Sequence, residues 1–189
     1  MNFTAHIQHS EESFRQLAKV QYNAYCQGTK LILLAITAAC LYFGFLRGNG
    51  STASLLVLFL GCWTAMSLQV PAKRNADKMI DLANGNFPST DYLFLPDAVQ
   101  ITSGEKASTL EYTKLFGFLE DTKFFYLFVS PLAGYMVPKD SISPNELDDF
   151  RTMIEKKSEL QLERVKGLLA INLKTFLRQR KNMSRKKHY

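Results

Sequence analysis

Residues 31–70 read LILLAITAACLYFGFLRGNGSTASLLVLFLGCWTAMSLQV, and this stretch decides the fold. It contains two uncharged, strongly apolar blocks, Leu31–Leu46 and Ser51–Val70, joined by a polar tip at residues 47–50. As helices these blocks would be about 24 and 30 Å long, and the hydrocarbon core of a bilayer is about 30 Å thick. The stretch therefore predicts a transmembrane helical hairpin at residues 29–72, with spans at about 29–46 and 51–70.

The shorter first block is flanked by Lys30 and Arg47, whose charged ends are expected to reach the lipid headgroups along their apolar stems. The alternative is a helical hairpin buried in the core of a globular protein. The rest of a 189-residue chain is too small to bury two helices that are apolar on all sides. We therefore favour the membrane.

Basic residues are distributed unevenly around the two blocks, and their distribution predicts the orientation. The tip carries one basic residue, Arg47. The basic residues on the side of the chain termini are Lys19, Lys30, Lys73, Arg74 and Lys78. Because cytoplasmic segments near membrane spans are enriched in Lys and Arg, this pattern predicts a multi-pass protein with both termini in the cytoplasm.

Residues 1–28 are expected to form a short strand and an amphipathic helix. Phe3, Ala5 and Ile7 alternate with polar residues, as on a half-buried strand. Ser10 is a suitable N-cap for the helix that follows. No helix breaker separates this helix from the first apolar block, so we expect one long helix that runs into the bilayer.

A helical linker and turn are predicted at residues 73–90. Pro71 is expected to kink or restart the helix after the second span, and the turn at residues 84–88 ends it. From Asp91 onwards, apolar residues recur with a period of two, which predicts strands. The predicted strands are residues 92–95, 98–102, 108–112, 115–120, 124–130 and 134–137. The run Phe124–Val129 is apolar on both faces, which indicates a central strand.

A helix is predicted to close this strand-rich domain, which we place at residues 91–163. Ser143 is a suitable N-cap, Pro144 suits the first helical position, and Glu146 can bond back to the Ser143 amide. The apolar stripe expected to lie on the sheet consists of Leu147, Phe150, Met153 and Ile154. The opposite side, expected to face water, carries Asp148, Asp149, Arg151 and Glu155.

Residues 164–189 form a basic, amphipathic tail that contains no acidic residue. A helix of this kind can lie in a membrane interface and contact anionic phospholipids. The basic residues expected to make such contacts are Lys166, Lys174, Arg178, Arg180, Lys181 and Arg185. The alternatives are that the apolar side packs on the protein's own domain or, with less support, that the tail binds nucleic acid.

The order of these elements resembles the YcxB-like family of bacterial membrane proteins over roughly residues 2–160. The segments that carry the resemblance are Phe94–Val99, Leu110–Leu115, Glu120 before an aromatic-rich strand, and Tyr135–Lys139. The resemblance implies family motif residues at Tyr112, Glu120, Pro138 and Lys139. It also implies location in the bacterial inner membrane and a cytoplasmic pleckstrin-homology-like (PH-like) domain. The expected fold class is thus an α+β membrane protein, in which a two-helix transmembrane hairpin precedes a small PH-like domain closed by a C-terminal helix.

The sequence contains no recognisable catalytic, cofactor or metal motif, so we do not expect an enzyme. The histidines His6, His9 and His188 lack metal-ligand spacing. The three cysteines, Cys26, Cys40 and Cys62, form no CxxC pair. Glu120-Asp121 and Asp148-Asp149 are adjacent carboxylates, but one pair marks a turn and the other the wet side of a helix.

Two functions from different classes follow. The first is a non-enzymatic, membrane-tethered module whose cytoplasmic domain binds a protein partner or anionic lipid headgroups. The second is an accessory or assembly subunit of a larger transport or signalling complex. In that case the hairpin would bind its neighbours through small residues that allow close helix contact, namely Gly44, Gly61, Ala65 and Ser67. A peripheral enzyme acting on lipids has less support.

Overall fold

The structure is a computed structural model that describes residues 2–48, 50–165 and 167. It is an α+β fold with helices and antiparallel sheets. The described chain forms two compact units. The first unit comprises residues up to Gln21 together with Ala76–Val165, and the second comprises Tyr22–Asn75.

Five α-helices and eight strands make up these units. The helices are α1 (Glu11–Tyr25), α2 (Gln27–Tyr42), α3 (Thr52–Met66), α4 (Val70–Ala83) and α5 (Leu147–Ser158). The strands are β1 (Phe3–Gln8), β2 (Ser89–Phe94), β3 (Ala98–Ser103), β4 (Lys106–Glu111), β5 (Gly117–Glu120), β6 (Phe124–Ser130), β7 (Ala133–Pro138) and β8 (Glu163–Arg164). The six strands predicted from the two-residue period are all present, with ends shifted by a few residues.

The strands form two four-stranded sheets in the first unit. The order is β1-β2-β3-β4 in one sheet and β7-β6-β5-β8 in the other. All pairings are antiparallel except that of β5 with β8. Phe125 and Tyr126 of β6 are fully buried, as expected for a central strand.

The N-terminal strand belongs to the first sheet. β1 pairs with β2 along its whole length, from Phe3 opposite Phe94 to Gln8 opposite Ser89. Its alternating side chains Phe3, Ala5 and Ile7 are buried. The compact unit therefore extends beyond the predicted boundaries of 91–163, because a strand some eighty residues away along the chain completes its sheet.

Phe150 of α5 lies at the centre of the core between the two sheets. Its ring contacts Phe3 and Phe94 of the first sheet at centroid distances of 5.4 and 4.8 Å, and Phe125 of the second at 5.0 Å. Phe150 and Ile154 have no solvent exposure. Two of the four residues of the predicted apolar stripe, Phe150 and Ile154, are thus buried as predicted, and Leu147 and Met153 are half-buried.

The start of α5 differs from the prediction. Pro144–Glu146 form one 3₁₀ turn, and α-helical geometry begins at Leu147. The Ser143 side chain makes no capping hydrogen bond; its carbonyl accepts from the Glu146 amide at 2.9 Å instead. The tighter turn gives the Glu146 amide a backbone acceptor, so this amide does not need the Ser143 hydroxyl as a cap.

The expectation of one unbroken helix into the first apolar block is wrong. α1 ends at Tyr25, and Cys26 leaves helical geometry with φ −95° and ψ 37° before α2 begins at Gln27. Lys30 does not reach outwards, because it is fully buried and its Nζ donates to the Asn23 carbonyl at 3.2 Å. The last carbonyls of a helix lack amide partners, which explains why this one attracts a side-chain donor.

Pro71 lies in the first turn of α4, where its missing amide costs nothing. The 3₁₀ turn Ser67–Gln69 comes directly before it. The helix therefore restarts near this proline, which is one of the two predicted outcomes. It ends in the turn where Asn84 and Gly85 have positive φ values of 46° and 77°.

The helical hairpin lies in the second unit, except that its second helical stretch ends in the first. The two stretches, Gln27–Arg47 and Thr52–Ala83, are long and apolar enough to cross a membrane. In their apolar windows only 11% and 17% of residues are buried, so the alternative of a buried soluble core is not what the structure shows. Thr37 and Thr64 share a hydrogen bond of 2.9 Å across the hairpin.

Two of the small residues that were expected to contact helices of neighbouring subunits, Gly44 and Gly61, lie at close contacts within the hairpin itself. A Cβ at Gly44 would lie 2.5 Å from a side-chain carbon of Leu58, and one at Gly61 would lie 3.0 Å from Cys40 Cβ. Gly44 and Gly61 are both buried within the hairpin. These glycines allow the two helical stretches of the hairpin to pack closely against each other.

Candidate functional site

A group of charged side chains joins the second sheet to α5, and we call it the Glu120 cluster. It consists of Glu120 at the end of β5, Lys139 just after β7 and Arg151 in α5. Glu120 Oε2 accepts hydrogen bonds from Lys139 Nζ and Arg151 Nε, each at 3.0 Å. The Glu120 side chain is only 10% exposed, compared with 14% for Lys139 and 27% for Arg151. One carboxylate thus links three separate elements.

Phe125 lies against both cations of the cluster. Lys139 Nζ is 4.8 Å and Arg151 Cζ is 5.6 Å from the centroid of its ring. Since Phe125 is fully buried, these are cation–π contacts in a largely desolvated place. The cations are therefore held by the aromatic ring as well as by the carboxylate.

The electrostatics of the cluster suit a structural role. Burial raises the pKa of Glu120, but hydrogen bonds from Lys139 and Arg151, together with their charges, outweigh burial and leave the pKa below its ordinary value. Glu120 is therefore ionised at neutral pH. A general base needs a pKa near the working pH, so this carboxylate is poorly suited to move protons.

Asp121, the next residue, holds the turn between β5 and β6. Its Oδ1 accepts from the amides of Lys123 and Phe124 at 2.8 and 2.7 Å, and its Oδ2 accepts from Tyr126 Oη at 2.6 Å and Gln16 Nε2 at 3.0 Å. Burial raises the pKa of Asp121, but these hydrogen bonds lower it below its ordinary value. The bond to Gln16 also connects the turn to α1.

A cavity of about 510 Å³ lies beside this turn. It is bordered by β1, the first two turns of α1, the β5–β6 turn and the end of β7. The charged residues that line it are Glu12, Asp121, Lys123 and Asp140, and His6 lies beside them. Three carboxylates and one ammonium give this cavity an acidic character.

The structure brings together three of the four predicted motif residues. Glu120 and Lys139 form the ion pair described above, and Pro138 precedes Lys139 at the end of β7, opposite Phe124. Tyr112 is placed differently, in the 3₁₀ turn after β4, where it is buried and its hydroxyl donates to the Leu95 carbonyl at 2.9 Å. Tyr112 therefore fixes the β2–β3 connection.

The predicted lipid contacts of the basic tail lie outside the described residues. These are Lys166, Lys174, Arg178, Arg180, Lys181 and Arg185. The described part of the chain reaches Arg164 of β8, whose Nε is 3.9 Å from Glu120 Oε1 although its side chain is 90% exposed. That long, exposed ion pair contributes little to stability.

Sequence reasoning missed the role of Arg151, which was expected to face water. Arg151 instead bonds to Glu120, and it also pairs with Asp148 one turn earlier in α5. Helical spacing places Arg151 near the edge of the apolar stripe, one residue after Phe150. This position could have indicated that Arg151 is partly buried. The sequence does not show that Glu120 lies opposite.

The described residues, 2–48, 50–165 and 167, contain no group of three or more His, Cys, Asp or Glu side chains arranged to hold a metal ion. What the site offers chemically is a rigid framework of hydrogen bonds beside an acidic cavity. Such a framework is suited to binding a partner through fixed polar groups.

Comparison with known proteins confirms the resemblance for part of the chain. The family model for YcxB-like protein matches residues 94–154, from the end of β2 into α5. This segment contains Tyr112, Glu120, Pro138, Lys139 and Arg151. No curated protein and no solved structure matches the chain.

Proposed function

We propose, on the premise of the YcxB-like match over residues 94–154, that this chain is a non-enzymatic integral membrane protein. Its helical hairpin anchors it in the bacterial inner membrane with both termini in the cytoplasm. Its first unit is a PH-like module that binds a polar or basic segment of a partner protein. The accessory-subunit alternative has less support, because Gly44 and Gly61 are used inside the hairpin.

The observation that carries the proposal is the large apolar surface of the hairpin. Twelve large apolar or aromatic side chains of the two apolar blocks are between 41% and 74% exposed. They are Ile32, Ile36, Tyr42, Phe43, Phe45, Leu46, Leu55, Leu56, Phe59, Leu60, Trp63 and Met66. A soluble protein rarely leaves a contiguous apolar surface of this extent in water, and lipid is the solvent that suits it.

The architecture of the first unit supports the PH-like interpretation. Four antiparallel strands, then three antiparallel strands and a closing helix, follow the order expected from the family resemblance. The helical hairpin is inserted between β1 and β2 of this arrangement. The first strand of the module thus precedes the anchor in the sequence, and its other strands follow the anchor.

The acidic cavity favours a protein ligand over a lipid headgroup. Anionic headgroups would be repelled by Glu12, Asp121 and Asp140, which outnumber the single ammonium of Lys123. A peptide segment with basic or polar side chains complements this charge. The predicted attraction to anionic phospholipids depends on residues beyond 165, and it remains a separate prediction for the tail.

Cysteine accessibility tests the anchor and its orientation. After Cys26, Cys40 and Cys62 are replaced by serine, single cysteines are introduced as Ser51→Cys at the tip and Glu105→Cys in the β3–β4 turn. In spheroplasts, a membrane-impermeant maleimide is expected to label position 51 at once and position 105 only after lysis. The proposed topology is wrong if both positions react equally before lysis, or if the protein is extracted by alkaline carbonate.

Photo-crosslinking in native membranes tests the binding site. A photoreactive amino acid in place of Lys123, at the cavity, is expected to form a discrete adduct with a protein, and the additional change Glu12→Lys is expected to weaken that adduct by reversing a charge. The matched control carries the same photoreactive group at Glu111, an exposed position on β4. Equal adducts at both positions, or an adduct with lipid alone, would contradict a protein-binding cavity.

A further inference from the structure

The end of the first unit runs along the edge of the second sheet. β8 pairs with β5 in parallel, and this pairing places Arg164 opposite Glu120. The amide of the next residue, Val165, donates to the Glu120 carbonyl at 2.8 Å. Because the two strands are parallel, the chain leaves β8 in the same direction in which β5 continues into the β5–β6 turn.

This direction leads to the acidic cavity. Asp121, which follows Glu120, belongs to the wall of the cavity, and the other turn residues as far as Phe124 line it as well. The bond between Val165 and Glu120 therefore brings the chain at Val165 next to the cavity wall. All of these residues belong to the first unit, which extends as far as Val165.

Two carboxylates at the cavity are free to pair with a cation. Glu12 and Asp140 are exposed, and neither forms a hydrogen bond or an ion pair with another residue in the part of the chain that the structure describes. Asp121 differs from them, because its two oxygens already accept hydrogen bonds from the turn amides, Tyr126 and Gln16. A basic ligand would therefore pair with Glu12 and Asp140.

The sequence that follows Val165 has the complementary charge. Residues 166–189 contain eight Lys and Arg residues and no Asp or Glu, and apart from Gly167 they lie outside the described residues. A segment joined to its binding site by a short tether has an effective concentration in the millimolar range. Even a weak attraction between unlike charges is therefore sufficient to fill the site for a large fraction of the time.

We infer that the basic tail of the same chain, residues 166–189, occupies the acidic cavity and competes there with the partner segment. The inference rests on the proposed function, because it assigns the regulation of the same binding cavity. Basic side chains of the tail pair with Glu12 and Asp140, as those of the partner segment do once the tail is displaced. Contact of the tail with anionic lipid is the competing arrangement.

Photo-crosslinking of the purified, full-length protein tests where the tail binds. A photoreactive amino acid replaces Lys123, and isotopically heavy and light proteins are mixed in vesicles of phosphatidylethanolamine and phosphatidylglycerol. Mass spectrometry is expected to locate the adduct in residues 166–189 of the same chain. The additional changes Glu12→Lys and Asp140→Lys, at two exposed positions, are expected to reduce its yield by about threefold or more.

The matched control carries the photoreactive group at Glu111, an exposed position on β4, and is expected to give no adduct with the tail. The isotope labels distinguish an adduct within one chain from an adduct between two copies. An adduct with lipid alone, an adduct with the tail of another copy alone, or equal yields at positions 123 and 111 would overturn the inference.

Partner binding in native membranes separates the inference from the proposed function. Neutralising the middle of the tail is expected to raise the yield of the partner adduct at position 123 by about twofold or more, because the tail no longer fills the cavity. The tail variant carries Lys174→Gln, Arg178→Gln, Arg180→Gln and Lys181→Gln. The matched control removes the same number of charges from exposed lysines of the first unit and is expected to leave the yield unchanged. These lysines are Lys106, Lys114, Lys156 and Lys157.

The two hypotheses fail in different ways. If the partner adduct forms in equal yield with the basic and the neutralised tail, the tail does not compete and the inference is wrong, while the proposed binding cavity stands. If no partner adduct forms with either tail, the proposed function fails, and the regulation inferred from it fails with it.

Discussion

Replacing Phe150 with alanine is expected to lower the free energy of unfolding of the first unit by about 3–5 kcal/mol. The ring is fully buried between the two sheets, and it contacts Phe3, Phe94 and Phe125 within 5.4 Å. Its removal leaves a cavity between the two sheets, and the surrounding structure relaxes only partly into such a cavity. The cost therefore includes lost contacts on both sides as well as the lost burial of the ring.

Thermal unfolding of the detergent-solubilised, full-length protein measures this effect. Near-ultraviolet circular dichroism reports the buried tyrosines Tyr92, Tyr112 and Tyr126, which belong to the first unit. The control is Leu82→Ala, which removes an exposed side chain and is expected to change the free energy of unfolding by less than about 0.5 kcal/mol. Equal melting temperatures for the two variants would show that Phe150 does not join the sheets.

The sequence predicts those parts of the fold that depend on local periodicity. The two-residue period between Asp91 and Lys139 is sufficient to place six strands, because alternate residues of a half-buried strand face the core. The stripe that includes Phe150 and Ile154 likewise predicts the buried side of α5. Each of these patterns depends only on residues that are close together in the sequence, so it can be recognised without knowing the fold.

Long-range pairing could not be predicted in this way. The amphipathic pattern of β1 shows that Phe3 and Ile7 need a core, but it does not show that β2 provides the neighbouring strand after two apolar helices. The same limitation applies to Arg151. A pattern within one helix identifies its wet side, and only the fold shows that Glu120 is buried opposite that side.

The break at Cys26 was missed for another reason. No glycine or proline lies at that position, and the residues on either side have ordinary helix propensity. In the structure, the carbonyls exposed at the end of α1 are partly satisfied by side chains, since the Asn23 carbonyl accepts from both Gln27 Nε2 at 2.8 Å and Lys30 Nζ. These side-chain-to-backbone hydrogen bonds are local, but helix propensity does not predict them, so the break leaves no simple signature in the sequence.

Replacing Glu120 with glutamine is expected to destabilise the first unit by about 3 kcal/mol at neutral pH. Glutamine has nearly the same shape but no charge, so Lys139 and Arg151 remain in a largely buried place without their anion. Leaving buried charges uncompensated is what makes the removal of one partner costly. For a unit of this size, the expected decrease in melting temperature is on the order of 10 °C.

The pH dependence separates this electrostatic effect from a simple packing defect. The folded state lowers the pKa of Glu120 below its ordinary value of 4.5, so its stabilising contribution is present above that pH and is lost as the pH falls through the lower folded-state value. The difference in melting temperature between the wild type and Glu120→Gln should therefore be largest above about pH 5 and should shrink as the pH falls below about 4. The control is Glu111→Gln, which breaks an exposed ion pair with Lys114 and should cost less than about 1 kcal/mol at any pH. A constant difference across the pH range would mean that the charge of Glu120 does not hold α5 to the second sheet.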